Sequence, residues 1–412
     1  MNLDSFLLCR RPVLDLKEEL VGYALSLQSV SDEVDETQAQ VRAASLICAA
    51  YAEFGLSQAL GENSAFIQTD LSFIHDDAIE ALPPESVILE LVLDSVPDVA
   101  TLERCRALRE RRYRLALDNY TGLDERSIPL LGLLSVVKID TRQLDDARIA
   151  ELAGSLARLP LKLLAEGVDS RQKMQYCSKI GFQLFQGDYF THNEQVRGRR
   201  LSPSQTMLIQ LINMASSDAE TTRLEEGFKH EPALAIHLLR IVNSVGFGFP
   251  QRITSLRHAI TILGRRQLQR WLQLLLLAST GKAAKLQRSP LLQVAALRGR
   301  MMEILAGKLQ SHHRQLTDQA FITGIMSMLP LALGMPMEEI FAQITLDDEI
   351  MQALKTREGI LGKLLALITC FDEEDSAGCT TLLAEEVLAP LDHAALNNCL
   401  AEALHWINSW NA

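Results

Sequence analysis

Val136-Val137-Lys138-Ile139-Asp140 is an apolar run interrupted by a lysine and ended by an aspartate, and it has counterparts along the first half of the chain. Val87-Ile88-Leu89 ends at Glu90, Leu115-Ala116-Leu117 ends at Asp118, and the run from Leu161 to Ala165 ends at Glu166. Parallel barrel strands present their chemistry at their C-terminal ends, so one charged residue per strand end converges on a shared pocket. A pocket of acids suits divalent cations and a phosphate ester. Apolar runs centre near residues 8, 22, 66, 88, 116, 137, 163 and 184, and from the third onward they recur about every 21 to 28 residues. That period fits a strand, a loop and one covering helix. Residues 38–55 and 99–112 have the apolar spacing of such helices. An open doubly wound sheet satisfies the same count, because counting strands does not establish closure.

At these residues the first half resembles the EAL family, the cyclic di-GMP phosphodiesterases of bacterial signalling. Lys138-Ile139-Asp140 stands for the family's K-x-D, Ala165-Glu166-Gly167-Val168-Asp169 for its A-E-G-V-E, and Phe185-Gln186-Gly187-Asp188-Tyr189-Phe190 for its Q-G-Y-x-F. The resemblance covers roughly residues 1–195. It implies a modified (β/α)8 barrel of TIM type with one antiparallel strand, and metal ions that activate water against a phosphodiester.

The departures from the pattern bear on activity. The signature E-A-L-x-R falls at Ala24-Leu25-Ser26-Leu27-Gln28, so the metal-binding Glu is Ala24 and the phosphate-binding Arg is Gln28. The family's strand-end Asn falls at Gln68, and its D-D-F-G reads Asp118-Asn119-Tyr120-Thr121. A methyl group cannot ligate a hard cation, and Mg²⁺, Mn²⁺ or Ca²⁺ sites draw most of their attraction from anionic oxygens. The expectation is a lost metal site, no catalytic residues and no cofactor, with Glu90, Asp118 and Asp140 as the remaining metal candidates. Lys138 and Asp140 are expected to pair with Glu166 and Asp118, and Gln186 survives with them as a remnant of the site. The alternative is a pocket that still senses a nucleotide, though Gln28 lacks the bidentate phosphate fork of arginine.

From about residue 196 the chain changes character. Residues 196–200 form a short basic linker, after which strand-like runs give way to helical spacing. Pro203, Pro232 and Pro290 sit where first-turn prolines are tolerated, and Ser202 and Ser289 precede two of them as N-cap residues. His230-Glu231-Pro232-Ala233-Leu234, Leu238-Leu239-Arg240-Ile241-Val242-Asn243-Ser244, Arg252-Ile253-Thr254-Ser255 and Ala259-Ile260-Thr261-Ile262-Leu263-Gly264 follow in order. They are similar to the HDOD domain, a helical relative of the HD phosphohydrolases. That resemblance implies an all-α interaction module over residues 201–412 without the HD metal ligands. Where an HD enzyme carries its His-Asp pair, this chain has Ser327-Met328. His312 and His313 are adjacent and point to different helix faces, as surface residues do.

Seven scattered cysteines without a C-x-x-C indicate neither a zinc ribbon nor a disulfide framework. No signal-peptide core or long apolar span is visible, so the expectation is a cytoplasmic protein without a membrane anchor. Charge falls in three blocks. Residues 1–196 hold 19 Lys and Arg against 31 Asp and Glu, residues 197–314 hold 18 against 6, and residues 315–412 hold 3 against 15. Arg252, Arg257, Arg265, Arg266 and Arg270 mark the basic block as an interaction surface, for the chain's own acidic blocks or an acidic partner. Nucleic acid is the alternative, for which Phe247, Phe249 and Trp271 offer little stacking surface. Trp271 instead shares helical core spacing with Leu268, Leu272 and Leu275.

The whole reads as a two-domain, non-catalytic signalling adaptor that acts through a protein partner and binds cyclic di-GMP weakly or not at all. A sensor without turnover and a weak phosphodiesterase are the alternatives.

Overall fold

The computed structural model describes residues 6–29, 60, 63–190, 201–217, 220–229, 232–243, 253, 255–279, 289–310 and 314–408. The expected helix over 38–55, the linker 196–200, His312, His313, Phe247, Phe249 and Arg252 lie outside the described residues. Eight strands close a barrel in sequence order: β1 (Phe6–Asp15), β2 (Leu20–Ser29), β3 (Ser64–Asp70), β4 (Val87–Val92), β5 (Arg114–Leu117), β6 (Val136–Asp140), β7 (Lys162–Glu166) and β8 (Leu184–Gln186). Each contains or adjoins one of the eight apolar runs. β1 is antiparallel to both β2 and β8, and the other neighbours are parallel. The barrel is therefore closed, with its single reversed strand at the start, and the open-sheet alternative falls.

Helices α1 (Val99–Glu110), α2 (Asp146–Leu156) and α3 (Arg171–Lys179) cover the β4–β5, β6–β7 and β7–β8 connections. Each begins at a side chain that accepts from the first turn: Asp98 from the Thr101 N–H, Asp145 from the Arg148 N–H and Ser170 from the Lys173 N–H. The expectation of one covering helix per strand fails at two places. The β3–β4 link is made of 3₁₀ turns at Phe73–His75 and Asp77–Ala81, and the β5–β6 link of one at Leu131–Leu133. Pro83-Pro84 in the first link, and Gly122, Pro129 and Gly132 in the second, break a longer helix.

Strand side chains alternate between faces, so one residue in two points into the barrel. Val13, Phe66, Ile88, Ala116, Val136, Leu164 and Leu184 form one packed layer, joined by Val21 and Ala24. Two positions further along the parallel strands, the same face carries Gln68, Glu90, Asp118, Lys138, Glu166 and Gln186. The apolar layer is the floor of a polar mouth.

The remaining described helices are α4 (Pro203–Ser216), α5 (Thr221–Lys229), α6 (Pro232–Val242), α7 (Leu256–Ala278), α8 (Pro290–Leu309), α9 (Arg314–Met326), α10 (Leu329–Leu333), α11 (Met337–Phe341), α12 (Asp348–Thr356), α13 (Gly359–Asp372), α14 (Ser376–Leu383) and α15 (His393–Asn408). Ser202 and Gln205 close a reciprocal capping box at the start of α4, with Pro203 in its first turn. α7 is two helices meeting at Gly264, whose φ of +74° is open to glycine at little cost. α8 and α9 touch at Gly299 and Gly324, where a Cβ on Gly324 would lie 2.6 Å from the Gly299 Cα. Residues 314–333 are long and apolar enough to cross a membrane by composition, but they form α9 and α10 and are mostly buried in the protein.

By internal contacts the chain divides into two compact units. One holds the barrel together with Thr369–Asn408, and the other holds most of residues 201–368. The sequence reading assigns everything from 201 to 412 to the helical half, whereas the contacts of the last helices group them with the barrel. The link is physical: the buried Leu8 N–H of β1 donates to Asn397 Oδ1 at 2.8 Å.

Candidate functional site at the barrel mouth

Lys138 is the centre of the mouth. Its ammonium lies 3.2 Å from Glu166 Oε2, 3.4 Å from Asp118 Oδ1 and 3.6 Å from Glu90 Oε2, with the lysine and Glu90 side chains only 6% and 3% exposed. Strand register brings these groups together from β4, β5, β6 and β7, which share no local sequence. Gln68 of β3 adds a donor, from Nε2 to Asp118 Oδ2 at 2.8 Å. Asn119 follows in the left-handed region, and its N–H donates to Asp118 Oδ1. Gln186, at the end of β8, is buried beside them. Glu90 Oε1 and Gln186 Oε1 are buried without a hydrogen-bond partner among the described residues.

The expected pairing of Lys138 with Glu166 and Asp118 is present, and Glu90 joins it. Asp140 is diverted. Arg142, two residues on, donates to both its carboxylate oxygens from Nε and Nη2, and also from its backbone N–H. Burial works against ionisation of Asp140, yet these bonds hold its carboxyl below the usual range.

Ala24 and Gln28 lie on β2 opposite Arg11 and Leu7. The Ala24 methyl packs on the apolar floor. Among the described residues, the buried side-chain oxygen of Gln28 has no hydrogen-bond partner. Two arginines that were not singled out in the sequence also reach the mouth. Arg11 comes to 3.7 Å from Glu166 Oε1, and Arg142 to 4.0 Å from the same oxygen. The available signal was period two: Arg11 stands two before the inward Val13, and Arg142 two after Asp140.

Burial pushes the Glu90 carboxyl up to about 7 from 4.5, with Asp118 and Glu166 adding to the rise and Lys138 opposing it. Burial alone would lower the Lys138 ammonium, but Glu90, Asp118 and Glu166 outweigh it and raise its pKa. Lys138 is thus charged across the neutral range. Between pH 4.5 and about 7 folded Glu90 holds a proton that the unfolded chain has lost, so this carboxyl makes the barrel less stable as pH rises through that window. The full effect is on the order of 3 kcal/mol. Melting the full chain from pH 5 to 8 should show a downward slope that Glu90→Gln flattens. A wild-type slope unchanged by that substitution would mean that Glu90 is ionised throughout.

Comparison with known proteins fits this geometry. A family model described as the EAL domain matches residues 54–193, and one described as the HDOD domain matches residues 201–371. The chain carries an EAL domain followed by an HDOD domain. The uncharacterized protein YuxH of Bacillus subtilis (strain 168) is 24% identical over 409 residues, covering 97% of this chain and 97% of that one. The cyclic di-GMP phosphodiesterase CdgJ of Vibrio cholerae serotype O1 (strain ATCC 39315 / El Tor Inaba N16961) is 28% identical over 383 residues, covering 90% of this chain and 85% of its own. A crystal structure of an EAL domain protein from Listeria monocytogenes EGD-e matches with a TM-score of 0.37 and 17% identity, covering 45% of this chain and 87% of that one.

In the HDOD domain the motif residues do structural work. Asn243 donates from Nδ2 to Leu239 O and to Ile253 O, and accepts from the Ile253 N–H at 2.7 Å. That one side chain ties α6 to the residue ten positions on. Ser327 donates to Gly324 O and accepts from Arg298 Nη1. Trp271 stacks on Phe228 with ring centres 6.2 Å apart, and Leu268, Leu272 and Leu275 are buried around the same helix. The basic-block arginines are engaged within the HDOD unit: Arg257 with Glu225, Arg266 with Asp318, Arg270 with Glu303 and Asp318, and Arg265 with Ser217 O. Arg270 also lies over the Phe321 ring.

Proposed function

We propose that this protein is a non-catalytic signal-transduction adaptor, in which a phosphodiesterase-like barrel and an HDOD module act through a protein partner. The observation that carries the reading is Lys138, an ammonium seated among Glu90, Asp118 and Glu166 while Ala24 offers a methyl group to the floor. The residues present do not fit the divalent cations that the fold family implies. Such ions need several well-placed oxygens, mostly anionic. Here one oxygen of each of the three acids faces an ammonium, the second oxygen of Asp118 accepts from Gln68, and Asp140 is held by Arg142. Among the described residues no group of three or more His, Cys, Asp or Glu is disposed to hold a metal ion. Four of the five marked arginines already have acceptors inside the HDOD unit, which leaves fewer of them free for the phosphate contacts that nucleic acid requires.

Weak phosphodiesterase activity is the second reading, favoured by kinship with CdgJ, whose name carries that activity. The full chain with cyclic di-GMP and Mg²⁺ or Mn²⁺ should yield no linear dinucleotide, and Ala24→Glu alone should not restore turnover. Product that disappears with Glu90→Ala would defeat the adaptor reading. Calorimetry with the same nucleotide should show weak binding or none, since the Gln28 amide makes fewer and weaker bonds to phosphate than a guanidinium. A submicromolar Kd without turnover would make the protein a sensor.

A further inference from the structure

Arg11 and Glu374 both lie outside the two family matches, yet they join the first barrel strand to the segment that follows the HDOD match. Arg11 donates from Nε to Glu374 Oε1 at 2.8 Å and from Nη2 to Glu374 Oε2 at 2.5 Å, and the Glu374 side chain is 8% exposed. This is the two-bond fork of a guanidinium on a carboxylate. The same guanidinium is 3.7 Å from Glu166, which Lys138 also holds.

Glu374 occupies the short link between α13 and α14 with φ at +59°. A side chain there is strained, and glycine is the usual occupant. The neighbouring backbone is fixed by Asp375, whose N–H donates to Cys370 O and whose carboxylate caps α14 at the Gly378 N–H. Further on, α15 reaches the edge of β1 through Asn397 and Leu8. Among the described residues β8 pairs with β1 at Val13, Leu14 and Asp15, and the earlier part of that edge is met by the C-terminal segment.

We propose that Arg11 and Glu374 form a latch that holds the α13–α14 link against the edge of β1 beside the barrel mouth, poised to open locally because Arg11 has a second partner in Glu166, while α15 stays seated through Asn397. The closed state gains the fork and keeps Glu374 in a strained backbone. In the open state the backbone relaxes, Glu374 is hydrated, and Arg11 moves onto Glu166 rather than being left alone. Stranding one partner is what makes most buried pairs costly to break, and that cost is avoided here. Two arrangements close in free energy are the requirement for a switch. Opening also shifts charge at the mouth: Arg11 takes a larger share of Glu166 and leaves Lys138 to Glu90 and Asp118. The position of the α13–α14 link is thereby coupled to the acids of the EAL domain.

Hydrogen exchange by mass spectrometry on the full chain, comparing wild type with Glu374→Gln, tests the latch. Exchange should accelerate about tenfold in peptides covering 369–383 and residues 6–12, the share of a charge-assisted hydrogen bond that a neutral amide gives up. Peptides from β4 and β5 should keep the wild-type rate. An unchanged rate at 369–383 overturns the proposal, and so does an equal rise in β4 and β5, which would mark the pair as an ordinary stabilising contact. If Glu374→Gln does not fold, Arg11→Lys keeps the charge without the fork and carries the same test. Local acceleration supports the latch, and uniform or absent acceleration overturns it. Neither outcome depends on turnover, so failure here leaves the adaptor reading untouched.

Discussion

Ending the chain after Ile368 should leave a barrel that does not fold. The residues removed include Leu388, Leu396, Leu400 and Leu404, each at most 3% exposed, in the segment whose contacts group it with the barrel. Burying one leucine contributes about 2 kcal/mol, and a whole domain is stable by only about 5–15 kcal/mol. Part of that burial is internal to the segment. The remainder, with the Leu8 N–H losing its acceptor Asn397, is of the same order as that margin. Residues 1–368 should therefore be cleaved rapidly within the barrel by a protease that spares the full chain. Equal protection in both would show that the last helices are an appendage.

Replacing Lys138 with methionine should have the next largest effect. The substitution keeps the length of the side chain but leaves Glu90, Asp118 and Glu166 facing one another without their shared cation. Breaking a buried pair from one side costs about 3–5 kcal/mol. The acids can relieve the repulsion by binding protons, so the loss should be greatest near pH 8 and smaller near pH 5. Thermal melting of wild type and Lys138→Met at both pH values is the measurement. Equal stability at pH 8 would show that water screens these carboxylates well enough to make Lys138 dispensable.

The barrel was legible because its signals are local. Each strand is a short apolar run, and the charged residue ending it lies two positions beyond an inward side chain, so strand periodicity alone delivers Glu90, Asp118, Lys138 and Glu166 to one mouth. The pairing within the mouth was less legible, since it depends on side-chain reach: Arg142 captures Asp140 from two residues away, and Glu90 joins Glu166 and Asp118 on Lys138. The two connections without helices could have been read from Pro83-Pro84 and Pro129. The membership of the last helices could not. Leu8 and Asn397 are 389 residues apart, and no periodicity in either segment points to the other.

That separation also has an order in time. A ribosome adding about 5–20 residues per second needs on the order of 20–80 s to travel from Leu8 to Asn397. During this interval the first strand is made but one edge of it is bare, the state in which strands recruit unintended neighbours. If, as expected, chains ending before Thr369 fail to fold, an incomplete product lacks the piece that finishes the barrel and should be left to proteases. The folded barrel should then occur only in chains whose HDOD module has also been synthesised.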